Sequence, residues 1–376
     1  MNIIVDDKVP YIRGVLEPFA KVFYLPGDQI TPEIAKDADV LITRTITICN
    51  RKLLEGSRIK FIATTTIGYD HIDTEYCKSA GIEWVNAPGC NAGSVNQYLT
   101  SAIFAWSVRK RLALAEKTIG IVGVGNIGSK VAKTCETIGM RVLLNDPPRA
   151  KKEGSGNFVS LEKIKQEADI ITFHVPLNMT GEDATFHMVD EKFLQNLDKN
   201  PLLINSCRGD VFDTKAVCNA VKTNRISGVI LDCWENEPNI STEMLSVTEL
   251  GTPHIAGYSR EGKANGTEMN IRAISRFFSL GIDNWKVENI ESPENALIEI
   301  DGSRLNENSI LAKAVMSTFD IEGKDKMFRE SPHLFEGLRS DYPVRREFTA
   351  YTVKAKNIEE KTLVKLKLLG FNIEKN

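Results

Sequence analysis

The sequence predicts an α/β protein with two doubly wound, parallel-sheet domains and a small α+β domain at its C-terminus. Short apolar runs alternate with helical stretches over residues 1–285, which is the pattern of repeated βαβ units. Residues 286–376 carry a shorter mixture of strand and helix patterns. We expect the first domain to comprise residues 1–93 and 257–285, the second residues 94–256, and the third residues 286–376.

The composition is typical of a soluble globular protein. Of the 376 residues, 42% are hydrophobic and 26% charged, and the net charge of −3 favours neither nucleic acid nor a membrane surface. No apolar run approaches the length that spans a bilayer, and the N-terminus lacks the features of a signal peptide. The seven cysteines are scattered without a CxxC pair, which favours reduced thiols in a cytoplasmic protein and indicates no metal site.

The apolar runs give the expected strands. They fall at residues 3–5, 40–42, 61–63 and 83–85, then at 118–122, 141–144, 169–173, 202–205 and 227–231, and finally at 297–300 and 347–353. Helical periodicity predicts helices over residues 94–112, 127–138, 213–222, 260–280, 307–319 and 358–369. We expect the helix at 94–112 to lead from the first domain to the second, and the helix at 260–280 to return the chain to the first.

A glycine-rich motif, Gly123-Val124-Gly125-Asn126-Ile127-Gly128, follows the strand at 118–122 and opens the next helix. This context is the one that the dinucleotide-binding fingerprint requires. Gly123 permits the tight turn, Gly125 lets the backbone approach a pyrophosphate, and Gly128 lets helix and strand pack closely. The helix N-terminus offers free N–H groups to phosphates. The second domain is therefore predicted to be Rossmann-like, as is the doubly wound first domain.

Asp146 ends the second strand of this domain, where a carboxylate accepts hydrogen bonds from the adenosine ribose and repels a 2′-phosphate. The sequence therefore predicts NAD as the cofactor. The nearby Arg149 argues the other way, because an arginine at this place can accommodate the phosphate of NADP. The structural alternative is a glycine turn in another doubly wound fold, with Asp146 as a solvated strand end.

Three candidate catalytic side chains follow later strands of the same domain, where ligands of open α/β sheets bind. Arg208 can hold a carboxylate bidentately, and His254 can take the proton of a hydroxyl group as hydride leaves. Glu237 can orient the imidazole of His254 and stabilise its protonated form. Together they predict oxidation of a 2-hydroxy acid, with the hydride going to a nicotinamide.

Each of these residues has an ordinary alternative: a surface salt bridge for the arginine, and a loop position for the glutamate and the histidine. His174 follows the strand at 169–173, and we expect it to line the cofactor crevice and not to act as the base. The remaining histidines have no motif context and receive no role; they are His71, His187 and His333.

The motifs around the candidate residues resemble the D-isomer-specific 2-hydroxyacid dehydrogenase family over residues 1–285. The resemblance rests on Arg208-Gly209, on Glu235-Asn236-Glu237-Pro238 and on the run from Pro253 to Gly257. It implies Arg208, Glu237 and His254 as the catalytic set. Cofactor contacts are implied for Asn126 and Ile127 through backbone N–H groups, and for Asp146, Val175, Ser206, Cys207, Asp232 and Gly257. We see no catalytic need for the Cys207 thiol.

Further segments resemble one branch of that family, which carries the extra C-terminal unit. They are residues 88–92, 145–150, 254–264 and 335–348. This resemblance implies a phosphorylated four-carbon 2-hydroxy acid as substrate and a homodimer held by the C-terminal domain. It also implies that Thr45, Thr66 and Tyr258 contact the substrate.

The substrate phosphate needs positive partners. Arg44 beside Thr45 is one candidate, and Arg345 or Arg346 is another; a solvated surface charge is the alternative for each. Two rival functions stay open. One is a related dehydrogenase acting on phosphoglycerate, lactate or glycerate, and the other is a binding protein that senses NAD without turning it over.

Overall fold

The computed structural model describes residues 1–375, and the chain divides into two compact units. The smaller unit contains Met1–Asn91 and Ser259–Glu291. The larger contains Ala92–Tyr258 and the chain from Ser292 onward.

The structure has fourteen strands and fifteen helices within the described residues. The strands are β1 Asn2–Asp6, β2 Lys21–Leu25, β3 Val40–Thr43, β4 Phe61–Thr64, β5 Glu83–Val85, β6 Thr118–Val122, β7 Arg141–Asn145, β8 Ile170–Phe173, β9 Leu202–Asn205, β10 Gly228–Leu231, β11 Leu250–Gly251, β12 Leu297–Asp301, β13 Thr352–Lys356 and β14 Asn372–Lys375. The helices are α1 Pro32–Ala35, α2 Arg51–Leu54, α3 Thr74–Ala80, α4 Ala92–Lys110, α5 Asn126–Ile138, α6 Pro147–Glu153, α7 Leu161–Glu167, α8 Glu191–Gln195, α9 Thr214–Lys222, α10 Thr242–Val247, α11 Arg260–Phe278, α12 Glu307–Met316, α13 Ile321–Glu330, α14 Phe335–Ser340 and α15 Glu360–Leu369.

The smaller unit is built on a five-stranded parallel sheet in the order β2-β1-β3-β4-β5. Strands β3 and β4 are buried along their whole length because both faces of the sheet are covered. Helix α11 covers one face, with Ile271 and Ile274 packed in the same cluster as Ile3 and Phe61. Helix α11 therefore belongs to the same unit as residues 1–91.

The larger unit contains a six-stranded parallel sheet in the order β11-β10-β9-β8-β6-β7. Its inner strands are wholly buried, with apolar clusters on both faces, so the doubly wound α/β prediction is confirmed. In a parallel sheet the carboxyl ends of all strands lie at one edge. The loops after β6, β8, β9, β10 and β11 therefore meet there, and they carry the candidate site.

The rest of the larger unit is a three-stranded parallel sheet, β12-β13-β14, with helices α12 to α15. The mixed strand and helix character of this region is confirmed. One strand was misplaced by the sequence pattern: residues 347–353 were expected to be extended, but Phe348–Ala350 form a 3₁₀ turn and β13 begins at Thr352. Phe348 and Tyr351 are buried on a turn, and their apolar character resembles that of a strand.

Three strands have no counterpart in the sequence-based expectations, namely β2, β11 and β14. Strand β2 is the edge strand of its sheet, and two of its five residues are exposed although Val22–Leu25 form a short apolar run. Strand β11 has only two residues. All seven cysteines are buried, and none forms a disulfide within residues 1–375. Within residues 1–375, the structure has no helix that combines the length and apolar character needed to cross a membrane.

Candidate active site

The glycine-rich loop between β6 and α5 has the geometry that its sequence predicts. Gly123 has φ of +87°, and a Cβ there would lie 2.7 Å from the carbonyl of His174. A Cβ on Gly128 would lie 2.1 Å from the carbonyl oxygen of Gly123, so only glycine allows this approach of helix and strand. Gly125 precedes the first turn of α5 and is exposed, and a Cβ there would meet nothing within 4 Å.

This open approach to a helix N-terminus suits a pyrophosphate, because the first N–H groups of the helix have no intrahelical partner. Asn126 and Ile127 are the first two residues of α5; Asn126 is exposed and Ile127 is half-buried. The residues present therefore fit a bound dinucleotide at its phosphates.

Asp146 lies at the end of β7 and caps α6. Its carboxylate accepts hydrogen bonds from the N–H groups of Val124, at 2.8 Å, and of Arg149, at 3.0 Å. The Arg149 guanidinium pairs with Glu153, at 2.9 and 2.7 Å, and also donates to the carbonyl of Val124. Because the carboxylate of Glu153 neutralises the guanidinium of Arg149, Arg149 is a weaker partner for the 2′-phosphate of NADP. The site favours NAD.

The other expected cofactor residues lie along the same strand ends. Val175 is half-buried, and its Cγ1 would be 2.9 Å from a Cβ on Gly123. Ser206 is buried, and its hydroxyl has no hydrogen-bond partner within the described chain. Burial raises the pKa of Cys207 to about 11, so its thiol stays protonated and is a poor nucleophile at neutral pH.

His174 does not have the properties of a base. Its Nε2 lies 3.1 Å from the hydroxyl of Thr172, and burial lowers its pKa to about 3. The imidazole is therefore neutral at physiological pH and cannot readily take up a proton. This agrees with the expectation that His174 does not act as the base.

Glu237 and His254 form a hydrogen-bonded pair. Nδ1 of His254 lies 2.8 Å from Oε2 of Glu237, and Oε1 of Glu237 accepts the N–H of Trp234 at 2.8 Å. Burial raises the pKa of Glu237, but the hydrogen bond and charge of His254, with the Trp234 N–H, outweigh it and leave the pKa below its ordinary value. The carboxylate is ionised and orients the imidazole, with Nε2 as the nitrogen open to a substrate.

Cys233, Glu237 and His254 place potential metal ligands within 4.8 Å of one another. Burial raises the pKa of Cys233 well above its ordinary value, so the thiol is not the thiolate that a metal binds. His254 already uses Nδ1 for Glu237. The arrangement fits an acid–base pair better than a metal site.

Asp232 holds the loop that follows His254. Its buried carboxylate accepts the N–H groups of Ile255, at 2.8 Å, and Ala256, at 2.9 Å, and the hydroxyl of Thr252 at 2.7 Å. Burial raises the pKa of Asp232, against the lowering effect of His254 and of these hydrogen bonds. The carboxylate fixes the backbone between His254 and Gly257.

Arg208 follows β9 and is half-buried. Its Nη1 donates to the carbonyl of Cys207 at 2.8 Å, and it forms no salt bridge within residues 1–375. Gly209 approaches the Trp234 backbone so closely that a Cβ would lie 1.9 Å from the Trp234 carbonyl oxygen. This contact brings the Arg208 loop against the segment that carries Glu237. Arg208 thus supplies a positive charge available to an anionic ligand.

Arg345 does not fit the expectation that it binds a phosphate. Its side chain is 8% exposed, and its guanidinium hydrogens are directed to carbonyl oxygens of the loop after His254 and to Gln97. Because these donors are occupied and shielded, that prediction is wrong for Arg345. For Arg346 it stays a prediction.

The sequence reasoning missed Arg339, which lies in α14. Its Cζ is 5.9 Å from the ring centroid of Tyr258, and its Nε is buried without a hydrogen-bond partner within residues 1–375. The run at 335–348 contains several arginines, and nothing in its pattern separates Arg339 from Arg345. Only the fold places Arg339 beside Tyr258.

The expected substrate residues of the smaller unit follow β3 and β4. Nε of Arg44 lies 3.2 Å from the buried carboxylate of Asp6, and about a third of the Arg44 side chain is exposed. Thr45 is exposed, whereas the Thr66 hydroxyl is bonded to Thr64 at 2.7 Å and to the Gly68 carbonyl at 2.8 Å. Their roles toward a substrate stay predictions.

Comparison with known proteins supports these observations. Residues 94–256 match the family model "D-isomer specific 2-hydroxyacid dehydrogenase, NAD binding domain", and residues 292–370 match a domain of unknown function. An erythronate-4-phosphate dehydrogenase from Bacteroides thetaiotaomicron is 49% identical over 354 residues, covering 94% of this chain and 99% of the relative. One from Porphyromonas gingivalis is 40% identical, covering 97% and 98%.

Among solved structures, the D-lactate dehydrogenase of Aquifex aeolicus, complexed with NAD and lactic acid, is 26% identical. The alignment has a TM-score of 0.58 and covers 77% of this chain and all of the other. The relatives match this chain almost from end to end, so their match includes the C-terminal unit. The chain therefore belongs to the erythronate-4-phosphate dehydrogenase family, among the D-isomer-specific 2-hydroxyacid dehydrogenases.

Proposed function

We propose that the protein oxidises 4-phospho-D-erythronate to (R)-3-hydroxy-2-oxo-4-phosphooxybutanoate with NAD, in pyridoxal 5′-phosphate biosynthesis. The observation that carries this proposal is the 2.8 Å hydrogen bond between His254 and Glu237, which lies in the same unit as the glycine-rich loop. An acid–base pair in an NAD-binding domain suits removal of a hydroxyl proton coupled to hydride loss. The names of the relatives supply the substrate.

In this mechanism the side chains of the protein bind and orient the substrate, and they move one proton. Arg208 binds the substrate carboxylate, and Nε2 of His254 takes the proton of the C2 hydroxyl. Glu237 then stabilises the imidazolium through the hydrogen bond to Nδ1. When bound, NAD supplies the acceptor for the hydride. Gly123 to Gly128 and Asp146 would hold it by its pyrophosphate and ribose.

For the substrate phosphate we propose Arg44. The Asp6 carboxylate takes only Nε, which leaves the rest of the guanidinium for an anion. Burial lowers the pKa of Lys263, and the charges of Arg44 and Arg260 lower it further, so positive charge is concentrated in this part of the smaller unit. A dianionic phosphate would relieve that repulsion.

Arg44→Ala should raise the substrate KM at least about tenfold, since a charged hydrogen bond is worth roughly 1.5–3 kcal/mol, and should leave the KM for NAD unchanged. Asp6→Asn is the matched control because it removes the ion pair but keeps the cation; its substrate KM should change far less. Equal shifts in both KM values would remove this role from Arg44.

We also propose that residues 1–93 with 257–285 form the substrate-binding domain, that 94–256 form the NAD domain, and that 286–376 hold a homodimer together. The separate family match of residues 292–370 supports a distinct C-terminal module. Seven free cysteines support a cytoplasmic location. Light scattering of the purified chain should give twice the monomer mass, and a monomer would contradict the dimer.

The test of the proposed reaction is an NADH-formation assay on the purified protein. We expect kcat/KM for 4-phosphoerythronate to exceed that for 3-phosphoglycerate by at least about 100-fold, because the site must bind the phosphate and the longer carbon chain together. Preference for 3-phosphoglycerate would refute the substrate and leave the family assignment intact.

A further inference from the structure

Arg345 makes an unusual set of contacts with the loop that carries the catalytic histidine. Its guanidinium donates to the carbonyl oxygens of Ile255 and Tyr258, both at 3.1 Å, and of Ala256 at 2.6 Å. These residues directly follow His254, yet they lie almost ninety positions before Arg345 in the sequence. A side chain of the C-terminal segment thus binds the backbone of the catalytic loop.

Asp232 binds the backbone of the same two residues, so the peptide group between Ile255 and Ala256 is bonded by both side chains. Its carboxylate accepts the N–H groups of Ile255 and Ala256, while Arg345 takes their carbonyl oxygens. Within residues 1–375 the two charged groups form no direct salt bridge. Each buried charge is instead satisfied by peptide dipoles, which is the condition under which a buried charge is tolerated. Both the N–H groups and the carbonyl oxygens of Ile255 and Ala256 are therefore held by side chains.

Arg345 is itself held rigidly. Its Nε donates to Oε1 of Gln97 at 2.9 Å, and its Nη2 donates to the carbonyl of Ser94 at 2.8 Å. The guanidinium also stacks on the ring of Phe319, with Cζ 4.5 Å from the centroid. Helix α4 and the C-terminal segment together leave this side chain little freedom to follow a displaced loop. The position of Arg345 is therefore set by contacts outside the loop as well as by the loop itself.

We propose that Arg345 is a positioning residue for catalysis, which sets His254 through the backbone of Ile255 and Ala256. The C-terminal segment then serves the chemical step in addition to any role in assembly. The inference rests on the proposed reaction, since it assigns Arg345 a part in placing that reaction's base.

Arg345→Met removes the donors and keeps most of the apolar stem. We expect kcat to fall about 100-fold, the scale of loss for a displacement of about 1 Å at a reacting group. The dissociation constant of NADH should change far less than kcat, because the glycine-rich loop and Asp146 are untouched and, of the expected cofactor residues, only Gly257 lies in the loop that Arg345 holds. The kinetic isotope effect with substrate deuterated at C2 should rise as hydride transfer becomes rate-limiting. Arg345→Lys should have a higher kcat than Arg345→Met, because lysine keeps a charged donor group but lacks the planar guanidinium that reaches several carbonyl oxygens at once.

Arg329→Met is the matched control. Arg329 also belongs to the C-terminal segment and also ties down a remote backbone, at the carbonyls of Leu245 and Thr248, at 2.6 and 2.8 Å. Its loss should lower Tm as Arg345→Met does, but leave kcat per folded site and the isotope effect near those of the wild type.

Equal kcat and isotope effects in the two variants would overturn the proposal, and if Arg345→Met does not fold, Arg345→Lys replaces it in the comparison. Failure of the wild type on 4-phosphoerythronate would instead refute the proposed substrate. In that case the comparison of variants would use the 2-hydroxy acid that the wild type does oxidise.

Discussion

Glu237→Gln tests the carboxylate that orients the catalytic histidine. The substitution keeps the size of the side chain and removes its charge. In the native protein, Glu237 is held by His254 and by the Trp234 N–H, both at 2.8 Å. Glutamine can still accept a hydrogen bond, but it cannot stabilise an imidazolium by charge. The variant should therefore fold and bind NADH, and lose rate.

The size of the loss follows from the contact. A hydrogen bond to a charged group contributes about 1.5–3 kcal/mol, and each 1.36 kcal/mol is worth about tenfold in rate. The side chains of His254 and Glu237 are 27% and 21% exposed, so solvent screens the pair only in part. We expect kcat for Glu237→Gln to fall roughly 10- to 100-fold.

The assay is NADH formation as a function of pH, with Glu235→Gln as the matched control. Glu235 lies two residues away and forms a similar pair, with Nε2 of His187 at 2.7 Å, outside the candidate catalytic set. Because the pKa of Glu237 is lowered, its carboxylate stays ionised in neutral and mildly acidic solution, so the gap in kcat between the wild type and Glu237→Gln should persist across that range. Equal kcat values for the two variants would refute the reasoning.

Three further outcomes are expected. Gly128→Ala places a Cβ 2.1 Å from the Gly123 carbonyl oxygen, so NADH titration should show a dissociation constant roughly 5- to 150-fold higher, from roughly 1–3 kcal/mol of overpacking; Gly156→Ala, which meets nothing within 4 Å, should change it less than about twofold. Asp146→Ser keeps an N-cap but removes the charge, so the ratio of kcat/KM for NAD to that for NADP should fall at least about tenfold; an unchanged ratio would show that Asp146 does not select the cofactor. Arg208→Lys keeps the charge but loses the planar fork, so kcat/KM for substrate should fall roughly 10- to 100-fold with NADH binding intact; steady-state kinetics with full substrate affinity would contradict its role.

The buried elements of the fold were predictable from the sequence because both faces of their sheets are covered. Strands such as β6 and β9 read as short apolar runs for that reason. Strand β14 was not predictable, since this exposed edge strand has no such run; strand β2 has one, Val22–Leu25, and was missed. The misplaced strand β13 shows the converse error: apolar residues at 348–351 are buried on a turn, and the pattern alone does not separate a buried turn from a strand.

The site residues also divide into those that the sequence predicts and those that it does not. The glycine-rich loop and the order Arg208, Glu237, His254 were predictable because local motifs carry them. The neutralisation of Arg149 by Glu153 was also readable, since acidic and basic residues four apart on a helix pair commonly. The role of Arg345 was not readable. It depends on a fold contact between residues about ninety positions apart, and one arginine in a run of several carries no local signal.

The central claim is that the His254–Glu237 pair makes this NAD-binding chain an enzyme. Single-turnover NADH formation by His254→Asn, with the protein saturated with NAD and 4-phosphoerythronate, tests that claim most directly. Loss of the base should slow the step at least about 100-fold, while the dissociation constant of NADH stays unchanged. A rate within a few-fold of the wild type would contradict the account.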